Sequence, residues 1–385
     1  MRGRKFRVLV WGVPAMTAVA FAVAWTWAGE ACVAPYRLRP HPAISTETEI
    51  SAYEERLRRN PEGALDLAAL ASAHLRARRY DVAEEKARES LKRLPVFNLP
   101  AKAVLAQAAQ ARHRFEECIK WCGEILRERP RQPDAMSLLV TANLATGRVQ
   151  EAARWADELV ERLPSVGSYS QLALALEATG REREAEHAFK KAIALEDVGE
   201  MEASSRARTW WARFLLRRGR PEVARGLLVE AIRIHPENAM AHGLLAQVEE
   251  HQVDASRHLS EAYRLSGDAT WLVRKARLAN DKALLESALP LLDHSRPRAE
   301  ALLELGRKEE ALALLEVEVK TRRDWETLRA LGRAYAACGR PQEALKVARE
   351  ALRTGIRDSE LYALAAQVEA SLGHKAEASF IRSLP

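Results

Sequence analysis

Residues 325–354 read WETLRALGRAYAACGRPQEALKVAREALRT, and this stretch decides the fold. Its small and apolar residues are spaced three and four apart in two segments, which is the spacing of helices with one buried face. A glycine between the segments predicts a turn. The residues that define the pattern recur upstream at the same spacings: Leu331, Gly332, Tyr335, Gly339, Ala344, Ala348 and Ala351. The stretch is the clearest copy of a repeat made of two helices.

Fainter copies of about 34 residues precede this stretch in register. In each copy the eighth position, in the first helix, and the twentieth, in the second, hold residues of limited size. These pairs are Ala71 and Ala83, Ala106 and Cys118, Val140 and Ala152, Ala173 and Ala185, and Ala212 and Ala224. Turns between paired helices are predicted at Gly147, Gly180, Gly219, Gly339 and Gly373.

The sixth copy departs from the pattern. Its second helix begins about three residues early, judged from Ala255, Leu259 and Ala262, and this predicts a tighter turn. Residues 266–298 contain two helical stretches without a repeat signature. We predict a degenerate unit or an irregular joint there, between one sub-stack at residues 51–265 and a second at residues 299–385.

The repeat resembles that of the tetratricopeptide repeat family, whose unit is two antiparallel helices stacked on the next pair. The resemblance covers about residues 64–265 and 299–385. It implies an all-α fold, an α-solenoid of stacked antiparallel helix pairs, in which small residues let paired helices approach to about 8–10 Å. Proteins of this family hold other proteins, so the resemblance implies a scaffold for protein–protein interaction without naming the partner.

The N-terminus has the pattern of a membrane anchor. Residues 8–27 contain no charged side chain, and at about 1.5 Å per residue they span the roughly 30 Å of a bilayer core. Four basic residues lie before this run, so residues 1–7 are predicted to stay in the cytoplasm. Residues 8–28 are then a transmembrane signal anchor, and the repeat body is periplasmic or otherwise extracytoplasmic.

Two alternatives place the body on the same side of the membrane. One is a cleaved signal peptide with a small-residue site near Ala31 or Ala34, and the other is a lipoprotein that begins at Cys32. Residues 29–50 contain three prolines and polar neighbours, which predict an extended spacer between membrane and body.

Composition and motifs argue against nucleic-acid binding and catalysis. The net charge is +7, but residues 8–385 carry 56 basic against 53 acidic groups, too even a balance for a surface that follows phosphates. The sequence contains no glycine-rich phosphate loop, no Gly-x-Ser-x-Gly motif and no His-Glu-x-x-His motif. We therefore predict a protein that is not an enzyme, needs no cofactor and binds no nucleic acid.

Two of the four cysteines are four residues apart on one helix, and in principle they could share a metal ion. Cys118 and Cys122 occupy core positions, however, where other copies have alanine. Two thiolates without further ligands make an incomplete site. We interpret both as buried small apolar residues and predict no metal site.

In the resembled family the first helices line a concave surface that binds partners. Mapped onto this chain, that surface is small or neutral in copies one to four and basic in two later copies. Its candidate partner-binding residues are Arg206, Thr209, Trp210, Arg213, Arg217, Arg329 and Arg333. Arginines three to four apart beside a tryptophan suit an acidic segment or a terminal carboxylate, with the ring as apolar anchor. The alternative is a helix face that is merely rich in exposed arginine.

These observations favour a membrane-anchored scaffold that assembles or stabilises a cell-envelope complex by holding protein segments or subunits. A second hypothesis is periplasmic support of polysaccharide export, which would favour aromatic and polar groove residues, and only Trp210 fits it well. A third is a structural subunit of a membrane complex, contacted through the transmembrane helix. The sequence leaves open whether binding uses the concave groove, the convex face or that helix.

Overall fold

The computed structural model describes residues 46–196 and 200–382, and these residues are all-helical. They form twenty-one α-helices and one short 3₁₀ turn, and no strand occurs among them. The basic segment at residues 1–7 and the predicted transmembrane helix at residues 8–28 lie outside the described residues. Within the described ranges, every helix is too short or too polar to cross a membrane.

Residues 46–108 belong to the first of two compact units and residues 109–382 to the second. The first unit comprises α1 (Thr46–Arg59), α2 (Ala64–Arg76), α3 (Tyr80–Arg93) and most of α4 (Leu99–Ala111). The second unit continues with α5 (Phe115–Glu128), α6 (Pro133–Ala145), α7 (Val149–Arg162), α8 (Val166–Ala178), α9 (Glu182–Ala194), α10 (Met201–Arg217), α11 (Pro221–Ile234), α12 (Ala239–Leu245), α13 (Gln252–Ser266), α14 (Thr270–Ala279), α15 (Lys282–Ala288), the 3₁₀ turn Leu289–Leu291, α16 (Ser295–Glu304), α17 (Lys308–Glu318), α18 (Trp325–Ala337), α19 (Pro341–Leu352), α20 (Ser359–Ser371) and α21 (Lys375–Arg382).

Residues 29–45 of the predicted spacer lie outside the described residues, and its last five residues, 46–50, are helical, because helix α1 begins at Thr46. Ile50 is buried against Leu70 and Ala73 of α2. Burial of such a side chain contributes about 1.5–3 kcal/mol, which favours a docked helix over an extended chain.

The predicted repeat is confirmed in the helix pairs. The small residues at the eighth and twentieth positions, such as Ala173 and Ala185 or Ala212 and Ala224, are fully buried between the two helices of a pair. The predicted turn glycines all have positive φ: Gly147, Gly180, Gly219, Gly339 and Gly373. The repeat therefore sets both the spacing within a pair and the place where the chain reverses.

The expectation of a tighter turn in the sixth copy is wrong. The turn there is long, and the first helix is short instead, because α12 has only seven residues and α13 starts at Gln252. The ring of Trp271 from α14 lies against Gly243 of α12, where a Cβ atom would be 2.0 Å from the ring. Only glycine leaves space for the Trp271 ring at this position. The sixth copy can therefore pack closely against the next helix pair, α14 and α15.

Residues 266–298 are a short helix pair inside the second unit. Helices α14 and α15 occupy the two predicted helical stretches, and Val273 and Leu285 share one hydrophobic cluster with Leu302, Leu315 and Leu331. The core thus continues without interruption from this pair into the last repeats. The chain divides into its two compact units after Ala108, and residues 266–298 belong to the second unit.

The second unit also contacts itself across many repeats. The backbone N–H of Arg323 donates to the carbonyl of Ala145 over 2.7 Å. A Cβ atom on Gly180, whose φ is +75°, would lie 2.4 Å from the carbonyl oxygen of Gly355. These contacts join the turns that follow α6 and α8 to the loops that precede α18 and α20. As a result, α10 on the concave side faces α18.

Candidate binding surface on the concave face

Helix α10 carries five of the seven candidate residues: Arg206, Thr209, Trp210, Arg213 and Arg217. Arg206, Trp210, Arg213 and Arg217 are four, three and four residues apart and share one stripe of the helix, whereas Thr209 lies on its buried side. The stripe runs along the concave side, and its two ends have different surroundings.

At the C-terminal end of the stripe, Arg213 and Arg296 both hold Glu326. Nη2 of Arg213 donates to one carboxylate oxygen over 2.6 Å, and Nη1 of Arg296 donates to the other over 2.7 Å. The Glu326 side chain is 20% exposed. A carboxylate from α18 thus lies between guanidiniums from α10 and α16, and it links helices that are far apart in sequence.

Arg217, one turn further along α10, holds Glu177 of α8. Nη2 of Arg217 lies 2.6 and 2.7 Å from the two carboxylate oxygens, and Arg218 reaches the same carboxylate at 3.2 Å. The Glu177 side chain is only 4% exposed. Two guanidiniums on one buried carboxylate form a strong, geometrically defined contact.

Arg329 of α18 completes this group. Its Nη1 lies 3.0 Å from Asp358 and 2.9 Å from Glu360. The Trp325 ring carries two cations, since the guanidinium carbons of Arg217 and Arg329 lie 5.5 and 5.4 Å from its centre. We name these side chains the inner cluster: Glu177, Arg213, Arg217, Arg296, Trp325, Glu326, Arg329 and Asp358.

The charges of the inner cluster strongly favour an ionised Glu326. Burial alone would raise the pKa of this carboxyl group. The surrounding guanidiniums outweigh burial and hold the pKa of Glu326 well below its usual range, with Arg213 and Arg296 as the main contributors and Arg217 and Arg329 adding to them. Glu326 is therefore ionised at neutral pH.

Five members of the inner cluster line a cavity of about 380 Å³ together with Trp210 and residues of α4 and α6: Glu177, Arg213, Arg217, Trp325 and Glu326. Three predicted partner-binding residues, Arg213, Arg217 and Arg329, are thus held by carboxylates of the same chain. They do not form the free basic surface that the sequence suggests.

The N-terminal end of the stripe remains open. Arg206 and Trp210 line a cavity of about 330 Å³ with residues of α6 and α8. We name its polar and aromatic lining the open groove: Ser137, Ser170, Gln171, Arg206 and Trp210. The Arg206 side chain is 51% exposed and lies 3.5 Å from a single carboxylate, that of Glu202, which is even more exposed.

Two contacts prepare the open groove for a ligand. The guanidinium carbon of Arg206 lies 5.9 Å from the centre of the Trp210 ring, which holds the two side chains together. Gln171 donates from its amide nitrogen to Ser137 over 2.6 Å. Its amide oxygen is buried and has no hydrogen-bond partner among the described residues. The groove thus presents one cation, one ring and one free acceptor.

The remaining two candidate residues lie elsewhere. Thr209 is buried, donates to the carbonyl of Ser205 over 2.8 Å and accepts from the Asn238 side chain over 2.9 Å. This corrects the expectation that Thr209 faces a partner, because both its hydrogen-bonding roles are used in packing. Arg333 is exposed on α18 and makes no part of either group.

Glu177 and Glu326 are the decisive residues that sequence reasoning missed. Both occupy concave positions of their repeats, the twelfth and the second, so the family pattern already placed them on this surface. These two carboxylates neutralise arginines that the sequence alone presents as free.

Both cysteines of the predicted core pair are free thiols and fully buried, as expected. The hydrogen bond that the Cys122 thiol donates to Cys118, together with burial, raises the pKa of Cys122. Among residues 46–196 and 200–382, no three or more His, Cys, Asp or Glu side chains are grouped as metal ligands would be.

Comparison with known proteins supports the repeat assignment. One tetratricopeptide repeat model matches residues 325–368, and a second matches residues 104–166 and 211–270. No curated protein matches the sequence.

Three solved structures are similar in fold alone. Yeast Tom70 is 13% identical with a TM-score of 0.37, and the match covers 87% of each chain. The APC/C hetero-tetramer Cut9–Hcn1 is 14% identical with a TM-score of 0.42, covering 84% of this chain and 60% of that one. The human IFIT1 dimer with PPP-AAAA is 16% identical with a TM-score of 0.48, covering 89% and 86%. The family-model matches show that the chain carries tetratricopeptide repeats, and its described residues form a helical solenoid.

Proposed function

We propose that this protein is a membrane-anchored scaffold that holds a segment of another protein in the open groove and so assembles or stabilises a cell-envelope complex. The repeats support the scaffold role, since stacked helix pairs provide extended concave surfaces. The uncharged run at residues 8–27 and the basic residues before it support the anchor and a periplasmic or extracytoplasmic body.

One observation carries the proposal. Arg206 and Trp210 line an open cavity, whereas Arg213 and Arg217 on the same helix are held by carboxylates of the chain. Binding by the concave arginines is therefore expected at the N-terminal end of α10. An arginine beside a half-buried tryptophan that lines a cavity is a frequent anchor in protein interfaces.

The groove chemistry favours an extended segment with one carboxylate and one apolar side chain. Arg206 would hold the carboxylate, because its fork of N–H donors matches two oxygens. Trp210 would contact the apolar side chain. The buried amide oxygen of Gln171 has no hydrogen-bond partner among the described residues, and it would accept a hydrogen bond from a backbone N–H of the segment.

Affinity purification from mild detergent followed by mass spectrometry tests this site. We expect the double variant Arg206→Glu, Trp210→Ala to lose proteins that co-purify with the full-length chain. The matched control is Arg333→Glu, which makes the same charge change at an exposed arginine outside the groove. Partners that stay bound to the double variant, while both variants unfold like the parent, would show that the open groove is not the site.

The anchor is tested separately. We expect the chain to stay with membranes after alkaline carbonate extraction, and its body to be cleaved by a protease added outside the cytoplasmic membrane. Release by carbonate would contradict the anchor. Replacing residues 8–27 with an unrelated span should keep partners bound, whereas loss of partners would favour a subunit that assembles through its transmembrane helix.

A further inference from the structure

His113 occupies a turn position at which most other helix pairs have glycine. It lies between α4 and α5 with a φ of +57°, whereas the next two turns hold Gly147 and Gly180. A side chain in this left-handed region costs about 1–2 kcal/mol relative to glycine. Such strain persists where the side chain makes contacts that glycine cannot make.

The His113 side chain contacts residues that are far away in sequence. Its Nδ1 lies 3.2 Å from Oε1 of Glu318, the buried last residue of α17. Its ring stacks on that of His294, which directly precedes α16, with 4.8 Å between the ring centres and 10° between the planes. The ring of Phe115 stacks at 5.4 Å. The turn after α4 is thus joined to the segments around α16 and α17.

The next two turns of the second unit also contact later loops. A Cβ atom on Gly147 would lie 2.8 Å from the carbonyl oxygen of Arg323, and one on Gly180 would lie 2.4 Å from that of Gly355. These two close approaches are made by backbone. The contact at His113 is made by side chains instead, and histidine titrates near neutral pH.

The hydrogen bond between His113 and Glu318 defines where the proton lies. This bond outweighs burial and lowers the pKa of Glu318, and Ser295 and Arg322 act in the same direction. An ionised carboxylate only accepts hydrogen bonds, so Nδ1 of His113 is the donor. His113 can therefore take up a proton on its other ring nitrogen and stay bonded to Glu318.

A proton on His294 is opposed by its surroundings. His294 remains exposed, so a proton reaches it from solvent. Partial burial and then the positive charges lower its pKa, whereas the two carboxylates act in the opposite direction. The charged groups that act on His294 are His113, Arg322, Asp268 and Asp293. Two protonated rings stacked at 4.8 Å repel each other, and Glu318 is bonded to one of them only.

The same turn forms part of the wall between two cavities. His113 and Phe115 line the concave cavity of about 380 Å³. They also line a second cavity of about 540 Å³, together with residues of α5 and of the loop after α17. Displacement of the His113 turn would therefore connect the two cavities.

We propose that His113, His294 and Glu318 form a pH-sensitive latch, which closes the wall of the concave cavity at neutral pH and opens when mild acid protonates both histidines. With one ring protonated, the stack and the bond to Glu318 both persist. With both protonated, repulsion between the rings opposes the stack. The latch does not depend on the partner proposed for the open groove.

The direction and size of the effect follow from the proton on His294. The folded protein disfavours this proton, so the latch contributes fully above about pH 6.5, the ordinary pKa of histidine, and weakens as the pH falls below it. One proton changes the opening equilibrium by at most about ten-fold per pH unit. Because His294 is exposed, screening by solvent reduces the expected change to roughly three-fold.

Hydrogen–deuterium exchange of the full-length protein in mild detergent tests the latch at residues 319–324. In this segment the amide of Arg323 donates to Ala145 across the same junction. Exchange at about pH 7.5 and about pH 5.5 is compared after division by the intrinsic rate at each pH. We expect protection of the parent to fall roughly three-fold on acidification. His294→Phe should keep its protection, because phenylalanine stacks without titrating, and His294→Gln serves if that variant does not fold.

His113→Gly removes the side chain from a turn that suits glycine. This variant should fold, should be roughly three-fold less protected than the parent at about pH 7.5, and should change little on acidification. The matched control is Arg78→Gly, at a φ of +58° in the first copy, which should exchange like the parent at both pH values.

Three outcomes would overturn the latch. They are equal protection of the parent at the two pH values, an equal fall in the parent and His294→Phe, and parent-like protection in His113→Gly.

Discussion

The two ends of α10 carry the same kinds of residue in different surroundings. Arg206 and Trp210 face the open groove, whereas Arg213 and Arg217 face the inner cluster. The Arg206 side chain is 51% exposed and the Arg217 side chain 12%. The difference arises because α18 returns to the concave side and brings Glu326 to the C-terminal end only. An arginine on a concave repeat surface is available to a partner only where the chain supplies no carboxylate of its own.

The ion pairs at the two ends of α10 also differ in how much they contribute to the stability of the fold. An exposed ion pair such as that of Arg206 contributes about 0–1 kcal/mol, because water already solvates both charges. Removing one member of a buried pair leaves the other charge without compensation and costs about 3–5 kcal/mol. The inner cluster is therefore expected to stabilise the fold, and the exposed ion pair of Arg206 in the open groove is expected to be nearly neutral for stability.

The largest effect is expected for Glu326→Gln. Two guanidiniums lose their shared carboxylate, so the free energy of unfolding should fall by about 5 kcal/mol. Denaturant titration followed by circular dichroism measures it. Glu309→Gln, at a side chain that is 75% exposed, is the matched control and should unfold like the parent. Equal stability of all three proteins would mean that the inner cluster does not stabilise the fold.

Arg217→Gln and Arg206→Gln compare the two ends of α10 directly. The first should lower the free energy of unfolding by about 3 kcal/mol, less than Glu326→Gln, because Arg218 still reaches Glu177. The second should change it by less than about 0.5 kcal/mol. The same titration measures both. Similar losses in the two variants would remove the distinction between the open groove and the inner cluster.

Gly180→Ala tests the close approach that brings α18 into place. The new Cβ would lie 2.4 Å from the carbonyl oxygen of Gly355, whereas at Gly219, which also has positive φ, no atom lies within 4 Å. Both variants carry the cost of about 1–2 kcal/mol for a left-handed alanine. Gly180→Ala should lose about 2 kcal/mol more, because backbone must move. Equal losses would show that this contact is easily displaced.

The smallest effect is a pH dependence of the inner cluster. The folded-state pKa of Glu326 is lowered, so its contribution is complete above the unfolded value of about 4.3 and falls as the pH drops toward the folded value. The stability difference between the parent and Glu326→Gln should therefore shrink below about pH 4.3, by at most about 1.4 kcal/mol per pH unit. A difference that stays constant from pH 7 to pH 3 would contradict the assignment.

Much of the fold could be predicted from local pattern. Residue spacing and residue size act over one or two helices. They predict where the first helices start, where the turn glycines lie and that Cys118 and Cys122 are buried. The short α12 could not be predicted, because its length depends on Trp271 of a later helix that packs against Gly243. For the binding surface, position in the repeat predicts which residues lie on the concave face. It does not predict which other side chains those residues contact.

The sequence by itself determined that helix pairs stack, which residues pack within a pair and, Thr209 excepted, which candidate side chains lie on the surface of the first helices. Only the tertiary structure decided which of those side chains are free. Arg213 and Glu326 are 113 residues apart, and their contact depends on the rotation that accumulates over the intervening pairs, including the two irregular ones. The local periodicity of the sequence specifies only weakly the small rotation between one helix pair and the next. Packing of the whole second unit specifies the sum of these rotations.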